Sequence, residues 1–139
     1  VSAAQNMTFT LGRARVTFIG PARTQHTDSR DDGLTLRIDY GQTSVVVTGC
    51  ITSNGEKEIV SSGAAAACDA LIVSRGGTEA ATCAEWVEAA KPKVALITGK
   101  NPANSVRIRL QKYGATVYAA KENGVMTLFS DGQEITVEP

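Results

Sequence analysis

The chain has 139 residues, 42% hydrophobic and 20% charged, a composition suited to one globular domain that buries roughly two-thirds of its unfolded-state surface. Basic and acidic residues balance at 14 each, so no long-range field draws in an anionic partner, and the basic stripe of a dedicated nucleic-acid binder is not expected. With a single histidine, His26, the chain lacks the several imidazoles on which a self-contained zinc or two-metal hydrolase site relies.

The first third reads as strands. "MTFTLG" and "ARVTFIG" alternate polar and apolar residues on either side of Gly12 and Arg13, the pattern of a hairpin. A polar stretch rich in turn formers, "PARTQHTDSRDDG", follows, and His26 within it is expected to be solvated. "LTLRIDYGQTSVVVTGC" gives two more strands around a Gly41–Gln42 turn, the second an apolar run suited to a central strand. Beyond it, helix and strand alternate. Asn54 is expected to cap a short helix through "GEKEIVSSG", with Glu56 and Glu58 at its positive end and Gly63 closing it. "ALIVS" is a buried strand running into a polar, glycine-rich loop, Ser74-Arg75-Gly76-Gly77. Thr82 and Glu85 fit a capping box for "CAEWVEAA", a helix that Pro92 stops and in which Trp86 is expected to be core. "KVALITG" is the next strand, and Asn101 with Pro102 reads as cap and first-turn proline of "ANSVRIRLQKYG". Val106, Leu110 and Tyr113 share one face of that helix. Arg107, Arg109 and Lys112 point elsewhere, either as a solvated face or, with Lys100, as a weak phosphate track. "ATVYAA", "GVMTLFS" and "QEITVE" finish the chain as strands, the last two joined by a tight "SDGQ" turn. Residues 1–139 therefore read as one α/β domain, with a meander at each end and helix-linked strands between.

Cys50, Cys68 and Cys83 share no CxxC spacing and are expected as small buried residues, with a disulfide or a reactive thiol as the alternative. No run approaches the roughly 18 apolar residues of a membrane span, and the N-terminus does not read as a signal peptide. The chain begins at Val1 rather than Met and is expected to be a processed or excised piece of something longer.

Taken in order, "TSVVVTG" plus one residue, a short helix, "CDALIVS" with its glycine loop, "EWVEAAKPKVALIT" and "LQKYGATVYAAKENGVMTLFSDGQEITV" resemble a known family. It is the C-terminal half of the metallo-β-lactamase-like domain of ComEC-type competence proteins, the DNA-uptake channel family. The resemblance spans roughly residues 6–138 and is densest from Leu34 onward. The "KP" after a helix, "YGATVY" and the "NG…DG" pair of turns carry it together. The implied fold is α/β, a mixed β-sheet with its helices on one face, half of a four-layer αββα arrangement.

In that family the strand matching "VVVTG" ends in Gly-Asp, whose aspartate is a metal ligand; here the position is Cys50. The strand matching "DALIVS" leads into a His-His-Gly-Ser loop supplying another ligand, here Ser74-Arg75-Gly76-Gly77. A later loop, with an asparagine and often Tyr-Gly-His-Pro, aligns with "NPANS", which keeps Asn101 without a histidine. The family's asparagine ahead of its first central strand is replaced near Asp32 or Gly33, and its HxHxDH segment belongs to the other half of the domain. The resemblance thus implies a dismantled site, with Cys50, Ser74 and Arg75 at relict metal positions. A two-metal hydrolase holds its ions with ligands at strand ends. A guanidinium placed there repels a divalent ion, and a lone thiolate does not make a zinc site. No cofactor is expected. Arg75 is left either as a locally paired arginine or as an anion-binding residue, holding phosphate or carboxylate with Gly76, Gly77 and Asn101. Catalysis by Cys50 lacks a base, since the one histidine lies in a distant-looking loop.

The resemblance implies a soluble domain of a bacterial cytoplasmic-membrane competence protein, on the extracytoplasmic side, with no direct membrane insertion by this segment. Its part in DNA internalization would be non-catalytic. Expected partners are DNA, weakly, and the channel part of the same protein, with homo-oligomerisation through an exposed sheet face as a way to cover apolar surface. Two other readings stay open: a metal-dependent hydrolase or nuclease completed by a missing N-terminal half, and a pure protein-interaction module.

Overall fold

The computed structural model describes residues 3–139. Four antiparallel neighbours come first: β1 (Thr8–Leu11), β2 (Ala14–Gly20), β3 (Thr35–Tyr40) and β4 (Thr43–Val47). The turns between β1 and β2 and between β3 and β4 use Gly12 and Gly41 at φ 61° and 58°, the left-handed backbone that tight hairpins require. From β4 the chain advances by parallel steps. Helix α1 (Ser53–Ser61) leads to β5 (Ala70–Ile72), α2 (Ala84–Ala90) to β6 (Val94–Ile97), and α3 (Asn104–Lys112) to β7 (Thr116–Ala119). The result is a seven-stranded mixed sheet in the order β1 to β7. A single helical turn, α4 (Ala120–Asn123), then leads to a separate hairpin, β8 (Thr127–Ser130) with β9 (Ile135–Glu138).

Consecutive parallel strands are neighbours, so right-handed crossovers place α1, α2 and α3 on one face of the sheet. Accordingly α1 packs on α2 and α2 on α3. Val46, Leu71, Ala95 and Val117 form one register row facing these helices, and meet Ile59, Trp86, Val87, Val106 and Leu110 in the core. One residue along, Leu36, Val47, Ile72, Leu96 and Tyr118 form a row on the opposite face, with Ile38, Val45, Ala70 and Val94 as a second. The C-terminal hairpin lies against part of this second face. Thr43, on the same side as Val45 and Val47, meets Ser130 Oγ at 2.6 Å, and Gln42 N donates to Gly132 O at 2.6 Å. Ser130 shares its side of the hairpin with Leu128, Ile135 and Val137, all half-buried. That double cover explains why β4 reads as an unbroken apolar run.

Each helix starts at a residue other than the one its local motif suggests. Thr52, not Asn54, caps α1, its Oγ1 accepting from Asn54 N at 3.2 Å. Cys83 precedes α2 without a side-chain cap, while Thr82 takes φ 59° and its buried hydroxyl has no partner. Ala103, not Asn101, starts α3, because its N–H is drawn to Gly77 O at 2.8 Å. A tertiary contact overrides the local motif each time. The expected closing meander is also divided: β7 joins the main sheet in parallel, and α4 separates it from β8.

Candidate functional site

The carboxyl ends of β4, β5 and β6 lie side by side, the region where open α/β sheets bind ligands. Arg75 N donates to Gly49 O at 2.9 Å, which seats the loop after β5 against the turn carrying Cys50. Gly76 in turn presses on Gly99: a Cβ on Gly76 would stand 2.7 Å from Gly99 Cα, and one on Gly99 would run into the Gly76 carbonyl. With Ala103 N tied to Gly77 O, the three loops form one continuous rim. Arg75 sits in it at φ 50° and ψ 30°, a left-handed conformation that costs a non-glycine residue on the order of 1 kcal/mol.

Arg75 is half-buried, and among the described residues its guanidinium has no ion pair or side-chain hydrogen bond. Asp28 is the carboxylate within its electrostatic reach, but Asp28 is already engaged. Arg30 Nε and Nη2 clasp its two oxygens at 2.8 and 2.5 Å, and this clasp holds the carboxyl down to about 2, with Arg75 adding a smaller pull.

Behind the rim, Glu56 is fully buried. It lies in the first turn of α1, yet it serves the start of α2. Its oxygens accept from Thr82 N at 2.6 Å, Cys83 N at 2.8 Å and Ser74 Oγ at 2.8 Å. This carboxylate supplies across the interface the cap that α2 lacks locally. Burial pushes its pKa up, and the three donors pull against that shift. Asp31, 3% exposed, performs the same service for α1: it accepts from Thr52 N at 2.7 Å and Thr52 Oγ1 at 2.9 Å. Gly55 is required beside it, since a Cβ there would stand 2.6 Å from Asp31 Oδ1.

The polar stretch after β2 is not a free loop. His26, expected to be solvated, has a side chain only 3% exposed. Its Nδ1 meets Asp32 Oδ1 at 2.7 Å and its Nε2 meets Glu58 Oε2 at 2.7 Å, while Arg23 pairs with the same Glu58 at 3.0 Å. The Asp32 contact first, then Glu58, raises the imidazole pKa above its ordinary 6.5. Reciprocally, His26 holds Asp32 down, and Arg23 with His26 holds Glu58 down.

The predicted site residues thus divide. Cys50, Arg75, Gly76, Gly77 and Asn101 belong to the converging loops. Ser74 does not face outward: it is 1% exposed and its hydroxyl is spent on Glu56. Cys50, expected to be buried, is exposed, because left-handed Gly49 turns the chain over the strand end and sends Ile51 inward instead. Cys68 and Cys83 are free thiols in the interior, as expected, and burial pushes both up to about 12. Of the basic residues on and before α3, Arg107 pairs with Glu122 at 2.6 Å and Arg109 donates to Thr82 O at 2.5 Å, while Lys100 and Lys112 are exposed. Sequence reasoning missed Glu56, Asp31 and the His26–Asp32–Glu58 group. The one local hint was Gly55 inside a helix, a small residue where another element comes close.

The residues present do not fit the divalent ions that the resemblance would imply. The positions expected for ligands hold Cys50, Ser74 and Arg75, and among the described residues no three histidine, cysteine or acidic side chains group as a metal set. In comparisons with known proteins, no family model and no curated protein matches the chain.

Proposed function

We propose that the chain is a non-catalytic domain of a ComEC-like bacterial competence protein, one that contacts DNA during internalization and does not cut it. The observation that carries this reading is the rim at the ends of β4 and β5. Gly49 and Arg75 stand in backbone contact there, with a half-buried cation at the position where the resemblance implies an imidazole ligand. A guanidinium without a protein partner is a bidentate donor for a phosphodiester oxygen, whereas it repels the metal that hydrolysis needs. The four-strand meander, the three one-sided crossovers and the closing hairpin agree with half of an αββα sandwich. The sheet face opposite the helices is then the surface that meets the rest of the parent protein or a second copy. Among the described residues no helix is long and apolar enough to cross a membrane. On this reading the segment lies beside the channel, on the extracytoplasmic side.

With zero net charge, the affinity for DNA should be weak and rest on very few phosphates. Fluorescence anisotropy of a labelled single-stranded oligonucleotide, titrated at several salt concentrations, tests this. The reading predicts binding at low salt with a log–log slope near −1, on the order of one phosphate contact, and none for Arg75→Ala. Cleavage of the oligonucleotide on adding manganese or zinc would contradict it, as would affinity indifferent to Arg75.

A further inference from the structure

We propose that His26 is a pH-operated latch, holding residues 21–27 against α1 while both ring nitrogens carry protons and releasing them when one proton is lost. The warrant is geometric. A neutral imidazole has one N–H, yet both nitrogens of His26 face carboxylate oxygens at 2.7 Å, from Asp32 in the 3₁₀ turn Ser29–Asp32 and from Glu58 on α1. With one proton, a lone pair would face a carboxylate at hydrogen-bond distance in a nearly dry position, so one contact must open.

The charged groups around the ring sharpen the switch. Asp32, Glu58, Arg23 and the imidazolium form a neutral set, in which Arg23 opposes the protonation of His26 and the two carboxylates favour it. Deprotonation leaves two carboxylates sharing one arginine. Gln25, at φ 63°, turns the chain so that the ring can enter the cluster, a strained residue that the latch holds in place. Release is confined to residues 21–27, because Asp28 accepts from Arg30 N and Asp31 N, and Asp31, bonded to Thr52, keeps that turn fixed. Between this segment and α1 lies a cleft of about 730 Å³, lined by Arg23, His26, Arg30, Asn54, Lys57 and Glu58. The inference stands apart from the DNA-uptake reading.

The sign follows from the raised pKa. Stabilisation by the latch is complete below the ordinary value of 6.5 and is lost as pH rises through the folded-state value. Each unit of separation makes opening about tenfold easier at high pH. Because His26 is the only histidine, its ring signals in a ¹H–¹⁵N NMR titration are unambiguous. The expected result is a pKa above 6.5 that falls in Asp32→Asn and in Glu58→Gln. Over the same pH window, exchange of the His26 amide, which donates to Asp32 Oδ1 at 3.1 Å, should accelerate beyond its intrinsic rise while the Asp31 and Gly33 amides stay protected. His26→Gln should leave the amide of residue 26 exchanging fast at every pH. A His26 pKa at or below 6.5, or protection of its amide unchanged through the titration, would overturn the proposal.

Discussion

Replacing Glu56 with alanine removes the acceptor shared by Ser74 Oγ, Thr82 N and Cys83 N, all at buried positions between α1, β5 and α2. Each orphaned donor costs roughly 1–3 kcal/mol. The three do not add fully, because the substitution also relieves the desolvation that burial imposes on the ionised carboxylate. A net loss of about 3 kcal/mol is expected, a large share of the ~5–15 kcal/mol that holds a domain folded. At roughly 3 °C per kcal/mol for a chain of this size, the melting temperature should fall by on the order of 10 °C. Glu56→Gln separates charge from geometry. Its Oε1 can still accept from Ser74 and Thr82, while its NH₂ faces the Cys83 N–H, so one donor is orphaned at a cost of about 1–2 kcal/mol. Urea denaturation with a shared m-value gives both numbers. A Glu56→Ala protein within about 1 kcal/mol of the parent, or a glutamine variant less stable than the alanine variant, would refute the reasoning.

The remaining expectations are shorter. Gly99→Ala drives a methyl group into the Gly76 carbonyl and should cost about 2 kcal/mol in urea melts, against about 1 kcal/mol for Gly12→Ala, where only the positive φ matters and nothing stands in the way. Arg75→Gly should relieve the left-handed backbone and raise stability by about 1 kcal/mol, while abolishing the oligonucleotide anisotropy change. A variant that loses stability would show that the side chain supports the loop through contacts. In a thiol-reagent assay at pH 8, the folded protein should expose Cys50 alone, with Cys68 and Cys83 reacting only in denaturant and the fast phase absent in Cys50→Ser.

The sheet was readable because period-2 and continuous apolar segments carry it: "ARVTFIG", "SVVVTG" and "KVALITG" all form strands of the main sheet. The same patterns order the core, with Trp86, Val106 and Leu110 fully buried. What the sequence hid was long-range polar pairing. Glu56 reads as a helix-dipole residue, and nothing near it in the chain announces that its partners lie at positions 74, 82 and 83. His26 has the same history, since a histidine among Asp, Ser and Thr is indistinguishable from a solvated one until α1 brings Glu58 onto its second nitrogen. Helix starts slipped for a related reason: Asp31 holds Thr52 as the cap of α1, Glu56 takes the amides ahead of α2, and Gly77 O takes the amide of Ala103 at α3, leaving Asn54 and Asn101 unused. The rim of converging loops could be anticipated, because loops after parallel strands share one end of the sheet, but the inward turn of Ser74 could not.

The central claim is that cation and thiol have displaced metal at the strand ends, and metal content tests it most directly. The purified chain, incubated with excess zinc and manganese and then freed of unbound ions, should retain no stoichiometric amount of either by elemental analysis. One equivalent of metal held by the folded protein and lost in Cys50→Ser would contradict the account and return a hydrolase to consideration.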